Sequence, residues 1–203
     1  MTNSAKLGSN NLGVFNMGAL PQTNYVSPED YLRLENDRAD DGTRCEYNNG
    51  QIYAMAGASR NHNLLSGALF VRLYTHLSNT RCQVFQSDMK VAIETLGDMR
   101  FYYPDVQVSC EDETDTYANK SPCLIIEVLS VSTVQKDRSE KLSGYRLIPA
   151  LQEYVLCSQD SPYVEIYRRR NEWKLEYFTT GQVVRLESVG LDLSVDELYH
   201  FLK

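Results

Sequence analysis

Two carboxylates lie in apolar surroundings between residues 102 and 130. Asp105 follows a proline in the run YYPDVQVS, and Glu127 lies 22 positions later within the apolar run PCLIIEVLS. An ionised carboxylate in an apolar strand costs free energy unless it is paired or coordinated. Enzymes that cut phosphodiesters commonly hold Mg²⁺ with one or two carboxylates. If the two strands are antiparallel neighbours, Asp105 and Glu127 therefore predict a site for Mg²⁺ or Mn²⁺.

A second group of polar residues follows in a segment that is predicted to be helical. Asp137, Lys141 and Tyr145 recur at intervals of four, so they share one face of that helix. A lysine at this position could orient an attacking water or stabilise charge on a phosphate. The alternative is a solvent-exposed ion pair between Asp137 and Lys141, worth about 0.3 to 0.5 kcal/mol. The spacing alone favours this alternative.

Three further residues are auxiliary candidates for the same site. Glu46 alternates with apolar neighbours, and the alternative for it is a side chain that faces water. His62 lies near the start of a predicted helix, where local hydrogen bonding is the alternative. Asp88 ranks below Asp105, because Ser87 and Asp88 are also typical of a turn.

The hydrophobic pattern indicates which elements must position these candidates. Helices are predicted at 27–36, 61–78, 132–148 and near the C-terminus, with a hairpin at Asn48-Asn49-Gly50, strands on both sides of residues 87–88, strands at 102–109 and 122–130, and four short strands after residue 150. This order predicts an α+β fold with a mixed central sheet flanked by helices. The helix after residue 130 would make the strands on its two sides parallel by a crossover connection.

Bulk properties limit the classes of function. The 203 residues predict a single domain over 25–203 after a flexible leader over 1–24. A formal net charge of −7 argues against a protein that coats nucleic acid by its overall field, and it leaves a local basic groove open. No apolar stretch approaches the roughly 18 residues that cross a bilayer, so we expect a cytoplasmic protein without a membrane partner.

The five cysteines are scattered and show no C-x-x-C spacing. This pattern indicates neither a disulfide framework nor a zinc site. We therefore expect buried, reduced thiols, as in a cytosolic protein.

Taken together, the motifs resemble the Uma-two family of restriction-endonuclease-like proteins. The resemblance rests on P-D, then E-V-L-S-x-S-T about twenty residues later, then D-x-x-x-K and a tyrosine. Upstream, RCEYNNGQIYAM resembles the family's hairpin and His62 occupies its helix-start histidine, while LQEYVLCS resembles a later family segment. The match spans about residues 27–203.

The resemblance implies a PD-(D/E)xK nuclease fold with a Mg²⁺-dependent phosphodiesterase site. By position, Asp105 would be the metal ligand of the P-D motif and Glu127 the second carboxylate. The superfamily's lysine usually lies two residues after that glutamate, where this sequence has Leu129. Some related families supply the lysine from the neighbouring helix, which makes Lys141 the candidate here.

Three functions follow from these observations. The first is a Mg²⁺-dependent DNA endonuclease that uses Asp105, Glu127 and Lys141. The second is an inactive binding or assembly module, such as a homodimer that acts with a partner nuclease, and Leu129 together with the acidic net charge favours it. The third is a metal-dependent hydrolase of another phosphate ester, although no glycine-rich loop for nucleoside triphosphates is present.

Overall fold

The computed structural model describes residues 25–37, 44–55 and 57–202, so the predicted leader over 1–24 lies outside the described residues. The helices are α1 (Pro28–Asp37), α2 (Arg60–Leu77), α3 (Val134–Lys136), α4 (Leu142–Tyr145) and α5 (Val195–Leu198). A π-helical turn (Asp137–Lys141) joins α3 to α4, and a 3-10 turn spans Arg169–Asn171. The strands are β1 (Cys45–Asn48), β2 (Gln51–Ala54), β3 (Gln83–Gln86), β4 (Lys90–Thr95), β5 (Asp98–Tyr102), β6 (Val106–Ser109), β7 (Ala118–Asn119), β8 (Pro122–Leu129), β9 (Glu153–Ser158), β10 (Tyr163–Arg168), β11 (Leu175–Thr179), β12 (Val183–Leu186) and β13 (Leu191–Ser194).

The described strands form one six-stranded sheet, one five-stranded sheet and a separate pair. The six-stranded sheet has the order β11-β10-β9-β8-β6-β3, and within it β8 and β9 run parallel while the other neighbours are antiparallel. The five-stranded sheet has the order β2-β1-β5-β4-β7. The α+β class and the parallel crossover after β8 are therefore confirmed.

The hairpin between β1 and β2 has the geometry that its turn residues predict. Asn49 and Gly50 have φ values of 46° and 93°, and positive φ at both central turn positions matches the twist of the flanking strands. This hairpin places β1, and with it Glu46, beside β5 in the five-stranded sheet.

The predicted strand over 102–109 is wrong as one continuous element. β5 ends at Tyr102 and β6 begins at Val106, so the chain passes from the five-stranded to the six-stranded sheet through residues 103–105. Pro104 explains the break, because proline has no N–H to donate to a strand ladder. Asp105 therefore lies immediately before β6, at the junction of the two sheets.

The helix predicted over 132–148 is also corrected in its bounds and its geometry. Helical structure begins at Val134, widens into the π-helical turn over Asp137–Lys141, and ends at Tyr145. Such π turns occur frequently at functional sites. The turn contains two of the predicted site residues, Asp137 and Lys141.

Strand β8 is buried on both faces. Leu124, Ile126 and Val128 pack with the buried leucines of α2, while Ile125 and Leu129 pack with Tyr145 and other residues near the crossover helix. Since side chains alternate along a strand, Glu127 points to the same side as Ile125 and Leu129. A carboxylate thus enters an otherwise apolar layer.

Two of the cysteines form a disulfide, so the expectation of reduced thiols is wrong for them. Cys82 and Cys110 are bonded. The antiparallel register pairs Gln83 with Ser109, and its continuation places Cys82 opposite Cys110. Only the pairing of β3 with β6 brings these two residues together, because their separation of 28 residues gives no cue.

None of the helices in the described ranges is both long and apolar enough to cross a membrane.

Reduction of the Cys82–Cys110 disulfide should lower the free energy of unfolding by about 3 kcal/mol, because the bond closes a long loop in the unfolded chain. Chemical unfolding with and without reductant measures this loss. The variant Cys123→Ser retains the bond and is the control. Two more thiols should react in denatured protein after reduction than before, and equal thiol counts would contradict the bond.

Candidate active site

Asp105 and Glu127 lie opposite each other at the junction of the two sheets. The antiparallel register pairs Val106 with Ile126, and its continuation by one residue places Asp105 opposite Glu127. Asp105 Oδ2 accepts a hydrogen bond of 2.7 Å from the backbone N–H of Val128. The condition for a shared metal site, that the two strands be antiparallel neighbours, is therefore met.

Lys141 points inward and connects three acids. Its Nζ lies 2.8 Å from Glu46 Oε1, 2.9 Å from Glu127 Oε1 and 3.6 Å from Asp137 Oδ1. The Lys141 side chain is 7% exposed and that of Asp137 is 2% exposed. The interpretation of these two residues as a solvent-exposed ion pair is wrong, because the crossover packs this helix face against β8 and β1.

Glu46 is also buried, so the interpretation that it faces water is wrong. It lies on β1 and accepts hydrogen bonds from Lys141, from Lys136 Nζ at 2.8 Å and from the backbone N–H of Tyr103 at 3.3 Å. Glu46 thereby links the five-stranded sheet to the crossover helix. Burial favours the protonated form, but the ammonium groups of Lys141 and Lys136 outweigh burial and lower the pKa of Glu46.

His62 joins the site from the first turn of α2. The hydroxyl of Ser59 caps this helix by accepting the backbone N–H of His62, and His62 Nε2 lies 3.2 Å from Asp105 Oδ2. Burial lowers the pKa of His62, but the Asp105 carboxylate outweighs burial and raises it above its ordinary value. His62 is thus in contact with the carboxylate of Asp105, and an auxiliary role at this site requires such a contact.

Asp88 does not join this cluster. It forms an ion pair with Arg44 on an exposed turn, and its side chain is 81% exposed. Ser87, its neighbour, adopts a φ of 49° and donates its backbone N–H to the carbonyl of Asp105. The segment around Asp88 is therefore a turn that supports the backbone of Asp105.

The sequence did not predict Lys136 as a residue of the site, and it gave no role to Tyr145. Lys136 was missed, although it precedes Asp137 and stands four residues before Glu140, with which it pairs at 3.9 Å. Tyr145 was placed on the right helix face, and its hydroxyl donates to Glu127 Oε1 at 3.0 Å. The regular spacing of Asp137, Lys141 and Tyr145 was the cue for Tyr145, whereas only the approach of β1 brings Lys136 to Glu46.

The site carries more negative than positive charge. Glu127, Asp137 and Glu46 contact Lys141, and Glu46 also contacts Lys136. A fourth carboxylate, Asp105, acts on Glu127 and lies against His62. Burial, together with the neighbouring acids, raises the pKa of Glu127 well above its usual value, even though Lys141 opposes the rise. Lys141 shares its charge among three acids, and these acids hold its own pKa well above the usual value despite burial. The site therefore favours an added cation or bound protons.

The donor set fits a hard divalent cation. The contacts described above use Oδ2 of Asp105 and Oε1 of Glu127, so one oxygen of each carboxylate is not engaged by them. Asp137 Oδ1 is buried and has no hydrogen-bond partner among the described residues. Across those residues, no group of three or more His, Cys, Asp or Glu side chains is arranged so that it could hold a metal ion. Mg²⁺ suits this arrangement, because it usually keeps several waters and takes only one or two protein carboxylates plus substrate phosphates.

The comparison with protein families is decisive for classification. The model of the Uma2 (Uma-two) family, described as "Putative restriction endonuclease", matches residues 28–196. The chain belongs to the Uma2 family. All of the residues in the carboxylate and lysine cluster fall within the matched range.

Two relatives and a solved structure are also similar to this chain. Two uncharacterised proteins of Synechocystis sp. are similar to this Uma2 chain: slr1290 is 35% identical over 181 residues (87% of this chain and 93% of that protein), and sll1609 is 34% identical over 157 residues (75% and 86%). A crystal structure from Anabaena variabilis, described as "a putative nuclease belonging to DUF820", superposes with a TM-score of 0.67 at 19% identity. It covers 88% of this chain and 99% of its own, and at this identity the likeness shows the fold.

Replacing Lys141 by Met should lower the free energy of unfolding by about 3 to 5 kcal/mol, because it removes the ammonium shared by three buried carboxylates. The double variant Lys141→Met/Glu127→Gln should recover part of the loss. Lys120→Met is the matched control, since Lys120 pairs with Glu94 at 2.8 Å on the exposed surface, where a pair contributes about 1 kcal/mol or less. Urea unfolding measures all three, and equal effects at positions 141 and 120 would contradict the buried network.

The pKa of Glu127 predicts how stability depends on pH without metal. A carboxyl whose pKa is raised in the folded state binds more protons there than in the unfolded state. Its contribution to the free energy of unfolding therefore decreases as pH rises above about 4.5. Glu127→Gln removes this titration and should flatten the profile, making the variant more stable than wild type at pH 8 in a chelator. Thermal unfolding between pH 4.5 and 8 measures the difference, and a constant offset would contradict the raised pKa.

Proposed function

We propose that this Uma2 protein is a Mg²⁺-dependent DNA endonuclease that hydrolyses phosphodiester bonds. The single observation that carries the proposal is the placement of Asp105 directly opposite Glu127, beside the buried Lys141. Membership of a family described as restriction endonucleases supports it at the level of class. The substrate and the metal belong to the proposal itself.

In this mechanism Asp105 and Glu127 would hold the ion. When bound, Mg²⁺ would polarise the phosphate and lower the pKa of a bound water. The backbone N–H of Val128 and the ring of His62 orient Asp105, while Tyr145 and Lys141 orient Glu127. The protein therefore supplies fixed carboxylates whose orientation does not have to be established during the reaction.

A second function remains in competition because a specific observation favours it. Leu129 occupies the position where the resemblance implies a lysine and is buried with Ile125 and Tyr145, while Lys141 is buried among three acids. A chain with this arrangement can retain the nuclease fold and bind DNA or a second copy without catalysis. The experiment on Asp105 separates these two functions.

Asp105→Asn should reduce cleavage by about 1,000-fold or more, because metal stabilisation of the transition state is worth several kcal/mol and each 1.4 kcal/mol is a factor of ten. The assay follows plasmid and linear duplex DNA with Mg²⁺ or Mn²⁺, and a chelator should abolish cleavage. Asp88→Asn is the matched control, since it alters an aspartate on an exposed turn.

Calorimetric titration of Mg²⁺ and Mn²⁺ complements this assay, with Glu127→Ala expected to lose binding while its circular dichroism stays unchanged. Metal binding without any DNA turnover would favour the inactive module. Turnover that survives Asp105→Asn would overturn the proposed site.

A further inference from the structure

Two lysines contact the carboxylates of the candidate active site, and their surroundings differ. Lys141 Nζ has oxygen atoms of three different acids within 3.6 Å. An ammonium group has three N–H donors, and two of these lie within hydrogen-bond distance of Glu46 and Glu127, while Asp137 Oδ1 at 3.6 Å is a charge contact. With its side chain 7% exposed and enclosed by these three acids, Lys141 has little accessible surface for a substrate.

Lys136 lies at the edge of the same cluster. Its Nζ donates one hydrogen bond of 2.8 Å to Glu46 Oε2, and Glu140 Oε1 lies farther away at 3.9 Å. The side chain is 22% exposed, about three times the value for Lys141. Because it makes one short hydrogen bond and is partly exposed, Lys136 can offer an N–H group to a ligand that arrives from solvent.

An aromatic ring also contacts this second ammonium. Lys136 Nζ lies 4.1 Å from the centroid of the Tyr53 ring and 5.8 Å from that of Tyr102. Cation–π attraction helps to fix the position of the charge beside the carboxylate of Glu46. Tyr53 lies on β2, at the edge of the five-stranded sheet, where it is partly exposed.

Glu46 connects the two lysines through one carboxylate. Its Oε1 contacts Lys141 and its Oε2 contacts Lys136. Of the two lysines, a phosphate that entered this cluster from solvent would therefore meet the more exposed Lys136 before the buried Lys141. Lysine is a common phosphate ligand, since it acts as a compact point charge.

We propose that Lys136 binds a phosphate of the nucleic-acid substrate, and that Lys141 is a positioning residue that holds Glu46 and Glu127. This division of roles rests on the proposed nuclease function. Lys136 was not among the residues that the sequence motifs indicate, and its role follows from its exposure, its single strong hydrogen bond and the ring of Tyr53.

The test compares Lys136→Met, Lys136→Arg and Lys120→Met with wild type. Lys136→Met should lower kcat/KM for duplex cleavage by about 100-fold and leave Mn²⁺ binding and circular dichroism unchanged, while Lys136→Arg, which keeps the charge, should recover part of the activity. Lys120→Met alters a lysine that also donates to a glutamate, outside the cluster, and should match wild type.

Binding of a labelled duplex gives a second readout, measured in the Asp105→Asn background so that the DNA stays intact. Each lost phosphate contact reduces the slope of log K against log salt by about 0.9. We expect this reduction for Lys136→Met and not for Lys120→Met.

The outcomes separate the two proposals. If wild type cleaves DNA and Lys136→Met shows the same kinetics and the same salt slope as wild type, the role of Lys136 is overturned. The nuclease function is then unaffected. Loss of Mn²⁺ binding in Lys136→Met, and equally in the milder variant Lys136→Gln, would make Lys136 a positioning residue and would also overturn the inference. Absence of any cleavage by wild type would overturn the nuclease function and the inference with it.

Discussion

The interaction on which the rest of the site depends is the contact of one buried ammonium with three carboxylates. Lys141 joins Glu46 of β1, Glu127 of β8 and Asp137 of its own helical segment. Burying so many charges is expensive unless their geometry satisfies them, so each acid constrains where the lysine and its helix can lie. Two sheets and the crossover segment are thereby held in one arrangement around a polar centre.

The backbone provides this geometry at two irregular places. Residues 103–105 carry the chain from one sheet to the other and leave Asp105 just before β6, opposite Glu127. The π-helical turn over Asp137–Lys141 then presents its acid and its lysine to that point. Irregular backbone of this kind often marks functional sites. Here residues from five separate segments converge, namely β1, α2, the residue before β6, β8 and the crossover segment.

The arrangement also explains how the site accommodates Leu129 at the position where the resemblance implies a lysine. Leu129 lies two residues after Glu127 on the same side of β8, where it packs with Tyr145 and Ile125. The ammonium reaches Glu127 from the neighbouring helix instead, across 14 residues of sequence. A shared carboxylate, Glu46, then links this lysine to Lys136 nearer the surface. Both ammonium groups that contact Glu46 therefore come from one helical segment and not from the strand.

The sequence by itself determined much of the local structure. Periodic leucines indicated α2, Asn-Gly indicated the hairpin, and an apolar run indicated the central strand, because these patterns act over short distances. It also singled out Asp105 and Glu127, since a carboxylate in an apolar run requires compensation. The helix bounds were predicted less accurately and the break at Pro104 was not predicted. The ends of helices and strands, and the places where the chain changes sheet, depend on neighbouring elements.

Tertiary structure alone decided which charges meet. Glu46 and Lys141 were each compatible with a place in water, and only the packing of β1 and the crossover helix against β8 buried them together. The same packing brought Lys136 to Glu46 and left Asp88 on an exposed turn. The pairing of β3 with β6 likewise joined Cys82 to Cys110. Contacts between residues far apart in the chain depend on strand register and helix packing, which local sequence patterns do not encode.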